Sequence, residues 1–176
     1  MHDHEAAPGP PVYAFCPMCA CSLEWRDLGG RPRRACPQCG FIHWQNPGVG
    51  AAVVVRDRQG RVLLIRRAEG SSRAGLWSIP AGFVDHDEEV RAAAARELTE
   101  ETGLIAEIGE VLHAASNFHD PAKPTVGIWF AARMMAGHLQ PGDDAAEAAF
   151  FALDALPELA FSTDAELLAR LAEENG

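Results

Sequence analysis

Three glutamates, Glu97, Glu100 and Glu101, sit within an alanine-rich stretch whose composition is that of a helix. With Val90 as origin and about 100° per residue, Ala94, Leu98 and Ala93 fall at about 40°, 80° and 300°, and Glu97, Glu101 and Glu100 fall at about 340°, 20° and 280°. The acids therefore overlap the apolar stripe, whereas a solvated charge run would lie opposite it. Arg91 and Arg96 project elsewhere, which leaves that face short of cations. Like charges three and four residues apart repel and lose hydration when enclosed. Clustered hard oxygen donors suit Mg2+ or Mn2+, ions that also bind substrate phosphates. From geometry alone, glutamates splayed to solvent remain the alternative.

A second donor set is made of sulfur. All five cysteines lie between positions 16 and 39, and four of them form the pairs Cys16-Pro17-Met18-Cys19 and Cys36-Pro37-Gln38-Cys39. Each pair turns two thiolates towards one point, and two pairs supply the S4 set that Zn2+ prefers. The 16 residues between Cys19 and Cys36 suit a hairpin joining two knuckles, with Leu28-Gly29-Gly30 as its turn. Reduced thiols in a small core, or a redox pair, are the alternatives. Cys21 is either a spare thiol or a competing ligand. About thirty residues bury little apolar surface, so a metal must hold this module together.

The chain around these sets has 176 residues, 48% of them hydrophobic, and a formal charge of −10 from 15 Lys+Arg against 25 Asp+Glu. That length allows one ordinary core with a small appendage. The acidity excludes general nucleic-acid or anionic-membrane binding without a local basic patch. No apolar run approaches a bilayer span, and MHDHEAAPGPP lacks the features of a secretory signal, so a cytoplasmic protein is expected. The expected organisation is a tail over 1–14, a zinc ribbon over 15–45 and a larger domain over 47–176. His2 and His4 are read as solvated tail residues.

Within the larger domain, 49–56 and 61–67 read as a buried hairpin about the turn at 57–60. Asp85 or Asp87 is expected to cap the glutamate helix, and Gly103 to end it. Further strands are expected at 104–114, 125–134 and 148–152, and a last helix at 163–174 capped by Thr163 or Asp164. Mixed strands and helices give an α/β class with helices packed on a mixed sheet.

Gly82, Glu88, Arg96-Glu97-Leu98, Glu100-Glu101, Gly103 and Leu104 match the Nudix box, G-x5-E-x7-R-E-U-x-E-E-x-G-U, without departure. Together with the cysteine pairs, Leu76-Trp77-Ser78-Ile79-Pro80-Ala81-Gly82-Phe83 and the late segment from Phe151 to Ser162, the chain resembles zinc-ribbon Nudix hydrolases. That group includes FAD and ADP-ribose pyrophosphatases. The resemblance implies a Nudix α/β/α sandwich and a Mg2+- or Mn2+-dependent hydrolase that cleaves the pyrophosphate of a small nucleoside diphosphate derivative. ADP-ribose or FAD is expected, with release of AMP. It also implies Glu97, Glu100, Glu101 and the Ala81 main-chain carbonyl as ligands of the catalytic metal, with Glu88 and Arg96 as braces. Glu101 or Glu100 is the favoured general base and Glu147 the second choice. A homodimer is expected on the same ground.

NADH pyrophosphatases carry a Ser-Gln-Pro-Trp-Pro-Phe-Pro motif after the box, and here only Ser116 of it is present. Pro121 stands near the spacing of ADP-ribose enzymes. Arg67 and Arg66 could hold phosphates, and Phe83, Trp44, Phe118 and Trp129 are candidate base platforms. Phe83 and Arg67 are the substrate contacts expected. The rival readings are an NADH pyrophosphatase, a nucleoside triphosphate hydrolase, and a non-enzymatic ribbon that binds nucleic acid through Arg31, Arg33 and Arg34.

Overall fold

Every residue of 51–55 is buried, and alternate side chains enter two different cores. Ala51, Val53 and Val55 face one, Ala52 and Val54 the other, as the two-residue period of a strand demands. A strand buried on both faces needs a helix or sheet over each, and this requirement organises the larger part of the chain. The computed structural model describes residues 13–120 and 122–174. By internal contacts the chain divides into Met1–Asn46 and Pro47–Gly176.

In the first unit β1 (Glu24–Asp27), β2 (Pro32–Ala35) and β3 (Ile42–His43) form an antiparallel sheet in that order. The β1–β2 turn is closed by the Gly30 amide, which donates to Asp27 Oδ1 at 2.9 Å. The tail expectation for 1–14 falls mainly on residues 1–12, which lie outside the described residues, as does Pro121.

The second unit contains β4 (Gly48–Val55), β5 (Val62–Arg67), β6 (Trp77–Ser78), β7 (Ala81–Phe83), α1 (Val90–Thr102), β8 (Leu104–Asn117), β9 (Thr125–Gly137), β10 (Ala145–Phe151) and α2 (Ser162–Glu173). One sheet has the order β7-β4-β9-β8 and the other β10-β5-β6. β4 runs parallel to β9 and antiparallel to β7. Helix α1 buries Ala93, Ala94 and Leu98 in the first core with Phe130, and α2 buries Leu167, Leu168 and Leu171 in the second with Trp129. The result is the expected helix–sheet–helix layering with a mixed sheet.

The structure corrects the expected hairpin. β4 and β5 belong to different sheets, and only an isolated bridge between Arg56 and Val62 joins them. The turn itself forms, with Asp57 Oδ1 accepting from the Gln59 and Arg61 amides. Both strands are apolar on both faces, so each satisfies its edges with other partners, and pattern alone does not pair them.

Both helix starts also differ. Glu89 caps α1, accepting from the Arg91 and Ala92 amides at 2.8 and 3.1 Å. Phe161 precedes α2 without a side-chain capping bond. Asp164 turns inward instead, accepting from the Ile79 amide at 3.1 Å and from Trp129 Nε1 at 2.9 Å. Burial raises its carboxyl to about 6. Gly103 ends α1 in the left-handed region at φ 69°, and a Cβ there would lie 2.7 Å from the His138 carbonyl.

Leu98→Ala removes a side chain with 0% exposure from the α1 core. It should cost about 2–5 kcal/mol of unfolding free energy, read as a lower urea midpoint with unchanged m-value.

Candidate active site and thiol cluster

The box is built by three consecutive pieces: strand β7, the loop that leads to Glu89, and helix α1. The loop is held by one guanidinium. Arg96 donates to Glu88 at 2.8 and 2.9 Å, to Glu97 at 2.7 Å, to Glu100 at 3.0 Å and to the Phe83 carbonyl at 3.1 Å. Backbone direction alone places Arg96 away from the helix acids, but its long side chain reaches back to two of them, Glu97 and Glu100, as well as to Glu88 in the preceding loop. The expectation that this face lacks a cation is therefore corrected. Arg96 holds the Glu88 carboxyl below its ordinary range.

The three box glutamates are not equivalent. Glu101 is buried at 1% exposure, Glu97 at 9%, and Glu100 lies on the exposed rim. Glu97 lies directly under Gly82, where a Cβ would fall 2.0 Å from its carboxyl carbon, so only glycine admits that approach. Glu101 Oε2 accepts from the Ala81 amide at 2.9 Å. Its carboxyl is pushed up to about 9, first by burial and then by a hydrogen bond and charge from Asp144. Burial likewise raises Glu97, with Glu100 and Asp143 adding repulsion.

Asp143 and Asp144 were not singled out from the sequence. They are far from the box in sequence, and two backbone bonds bring them to it. The amides of Gln140 and Gly142 donate to the Thr102 and Glu101 carbonyls, closing the carboxyl end of α1 with the loop that enters β10. A Pro-Gly pair followed by two adjacent acids at a strand entrance was the available signal. Glu147, by contrast, ion-pairs with Arg66 at an exposed position on the β10–β5 pair.

Next to the box opens a cavity of about 460 Å³. Ala81, Gly82 and Phe83 form its wall on the box side, and Arg67, Arg73 and Lys123 supply cations. Arg67 lies 3.6 Å from Asp144 and 5.4 Å over the Phe161 ring, linking the cavity to the acid cluster. Trp129 and Asp164 also line it. His119 lies against Phe161 at 5.2 Å between ring centroids. Of the expected contacts, Arg67 and Phe83 reach this cavity, whereas Arg66 and Phe118 do not line it and Trp44 belongs to the first unit.

In the first unit Cys16, Cys19, Cys36 and Cys39 bring their sulfurs within 4.8 Å of one another. Among the described residues this is the only group of three or more metal-type side chains gathered so closely. The Cys39 amide donates to Cys36 Sγ at 3.4 Å and is the largest factor lowering that thiol to about 6. Cys21 stands outside the set, its thiol raised mainly by burial. Four converging soft sulfurs, one of them poised as thiolate, fit a tetrahedral metal ion.

The NUDIX domain model matches residues 46–171. The chain belongs to the Nudix family. It is a pyrophosphohydrolase of that family, whose members generally use divalent metals. It is 37% identical over 122 residues to an ADP-ribose pyrophosphatase of Methanocaldococcus jannaschii, covering 69% of each chain. It is 32% identical over 146 residues to a NAD-capped RNA hydrolase NudC of Pseudomonas aeruginosa, covering 82% of this chain and 50% of that one. The chain thus spans about half the length of that relative. A Nudix hydrolase structure from Nitrosomonas europaea superposes with TM-score 0.80 at 32% identity, covering 92% of both chains. No described helix is long and apolar enough to cross a membrane.

The raised Glu101 carboxyl makes stability pH-dependent with a definite sign. Between its ordinary 4.5 and about 9 the folded chain keeps a proton that the unfolded chain has lost, so stability falls as pH rises through that window. Mg2+ should reverse the trend, because it favours the ionised carboxylate. Thermal melts at several pH values, with and without Mg2+, measure both. Cys36→Ser removes one of the four converging sulfurs and should lower metal uptake by the cluster and loosen the segment between Cys16 and Cys39, read as metal content by elemental analysis and as faster proteolysis of that segment.

Proposed function

We propose that this Nudix enzyme hydrolyses the pyrophosphate bridge of ADP-ribose or FAD, releasing AMP, with ADP-ribose as the first candidate. The observation that carries this reading is the shared wall between the acid cluster and the cavity. Ala81, Gly82 and Phe83 touch both, so a bridge held at the box leaves a nucleoside-sized group room beside it. The 37% identity to an ADP-ribose pyrophosphatase supports the same class.

Glu97, Glu100, Glu101 and the Ala81 carbonyl would hold the divalent cation, with Asp144 beside them. Their fit rests on the donor set: hard oxygens, of which buried Glu97 shares Arg96 with two other acids and buried Glu101 has no guanidinium partner among the described residues. When bound, Mg2+ or Mn2+ neutralises the diphosphate oxygens and makes water a better nucleophile. The side chains of the chain do the rest. Arg67 donates to phosphate oxygens in forked fashion, and Phe83 offers a ring face at the cavity rim. Burial and Asp144 hold a proton on Glu101; a bound cation would favour its ionised form, and that carboxylate would then be placed to accept the proton of the attacking water as the P–O bond of the bridge breaks. Asp144 rather than Glu147 is the outside acid favoured, because Glu147 is engaged by Arg66. Zn2+ is the ion proposed for Cys16, Cys19, Cys36 and Cys39, in a structural role. The units expected as ribbon over 15–45 and catalytic domain over 47–176 would divide the work accordingly. A homodimer remains part of this proposal, tested by light scattering.

A Mg2+- and Mn2+-dependent screen of ADP-ribose, FAD, NADH, NAD-capped RNA and nucleoside triphosphates, with products identified, tests the substrate. AMP and ribose 5-phosphate from ADP-ribose are expected, whereas pyrophosphate from a triphosphate as the main product would replace the reading. Glu101→Gln should lower kcat by about 10²-fold or more with the fold intact by circular dichroism. Asp144→Asn should fall in the same direction, and Glu147→Gln should stay near the unaltered rate.

A further inference from the structure

The ribbon sheet carries a row of side chains that neither the thiol cluster nor the hydrolytic site uses. Residues directly opposite on paired strands share a face. The register sets Trp25 opposite Arg34 and Arg34 opposite His43, so one row crosses all three strands. The Arg34 guanidinium lies 5.4 Å over the Trp25 ring, and Tyr13 packs edge-on against His43 at 4.7 Å. Trp25 and Tyr13 are 48% and 45% exposed. A module this small would gain most by burying its aromatic surface, yet two of the row's rings stay in water.

Charge is distributed in the same sense. Between positions 13 and 46 four arginines stand against Glu24 and Asp27, although the whole chain has a net charge of −10. Asp27, two residues along β1 from Trp25 and so on the same face, accepts from the Gly30 amide. In the second unit Arg61, Arg66, Arg67, Arg96, Arg133 and Arg170 each hold a carboxylate. None of the ribbon arginines forms an ion pair among the described residues. Among the described residues Arg34 makes only a long bond to the Ala14 carbonyl at 3.4 Å, and its Nε, like that of Arg33, is shielded without a hydrogen-bond partner. A guanidinium stacked on indole and not engaged by a carboxylate is ordered in advance for an external anion.

We propose that the row Tyr13–His43–Arg34–Trp25 binds single-stranded polynucleotide, with bases stacking on the rings and phosphate taken by Arg34. Alternating rings and a fork-shaped cation are the two elements of sequence-tolerant single-strand binding. The acidic remainder of the chain repels a phosphate backbone, so contact is confined to this face. The reverse face also has a stacked pair, Arg33 at 4.4 Å over Trp44, and shares its surface between Arg26, Arg33 and Glu24; it sets one ring beside its guanidinium where the row has three, which is why the row is preferred.

The test is fluorescence anisotropy of the full chain with a short labelled oligoadenylate, as RNA and as DNA, without added divalent ion. Trp25→Ala and Arg34→Gln should each weaken binding by at least about fivefold. Arg34→Gln should also reduce the slope of log affinity against log salt by about 0.7. Trp44→Ala should stay within about twofold of the unaltered chain, and zinc content should be the same in all. Should Trp25→Ala lose zinc, Trp25→Phe, which keeps a ring, and Arg34→Gln decide the matter. Affinity unchanged in Arg34→Gln overturns the proposal. So does an equal loss in Trp44→Ala, competition by an acidic peptide as strong as by the oligonucleotide, or no binding at low salt. RNA and DNA binding alike, or RNA alone, supports it and says which polymer the face takes. Binding is read without turnover, so a wrong substrate assignment leaves this measurement standing.

Discussion

A single guanidinium spread over three carboxylates and a carbonyl governs the hydrolytic site. Arg96 draws Glu88, Glu97, Glu100 and Phe83 to one point, and so fixes the loop before α1 relative to the helix that follows. The acids on α1 would otherwise destabilise the helix that carries them, since they repel one another and two are withdrawn from water. The brace leaves Glu101 outside its reach. That residue leans on the Ala81 amide and on Asp144, and it is the one whose proton is held most tightly. The site thus contains acids tied to Arg96 and, apart from them, a buried carboxyl that rests on the Ala81 amide and Asp144.

Proximity of the acids to the cavity follows from backbone hydrogen bonding. The segment before β10 closes the end of α1 through the Gln140 and Gly142 amides, and the same segment sets Asp144 between Glu101 and Arg67. Satisfying orphan helix carbonyls and assembling the acid cluster are one structural act. Asp164, which also lines the cavity, shows the same economy: its carboxyl joins β6–β7, β9 and α2 through Ile79 and Trp129.

Much of this was legible from residue spacing. Periodicity placed the buried stripe Ala93, Ala94 and Leu98 and the inward turn of Glu97 and Glu101, because both depend only on the direction of Cβ around a helix. Cysteine pairs announced their convergence, since a Cys-x2-Cys turn leaves little freedom. Side-chain reach was not legible: the angle of Arg96 about the axis says nothing of where its guanidinium ends. Strand partners were not legible either. Gly48–Val55 and residues 62–65 of β5 are both apolar throughout, so alternation gives no preference for pairing with each other over β9 and β10. Asp164 has the residue type of a helix cap, and a buried indole N–H that cannot be seen from its own neighbourhood claimed it instead.

The double-sided burial of β4 reaches beyond architecture. Ala51, Val53 and Val55 belong to the core under α1, and Ala52 and Val54 to the core under α2. Neither layer can therefore loosen without pulling on the backbone that the other layer grips. The two cores of this unit are expected to melt together, in one transition rather than two.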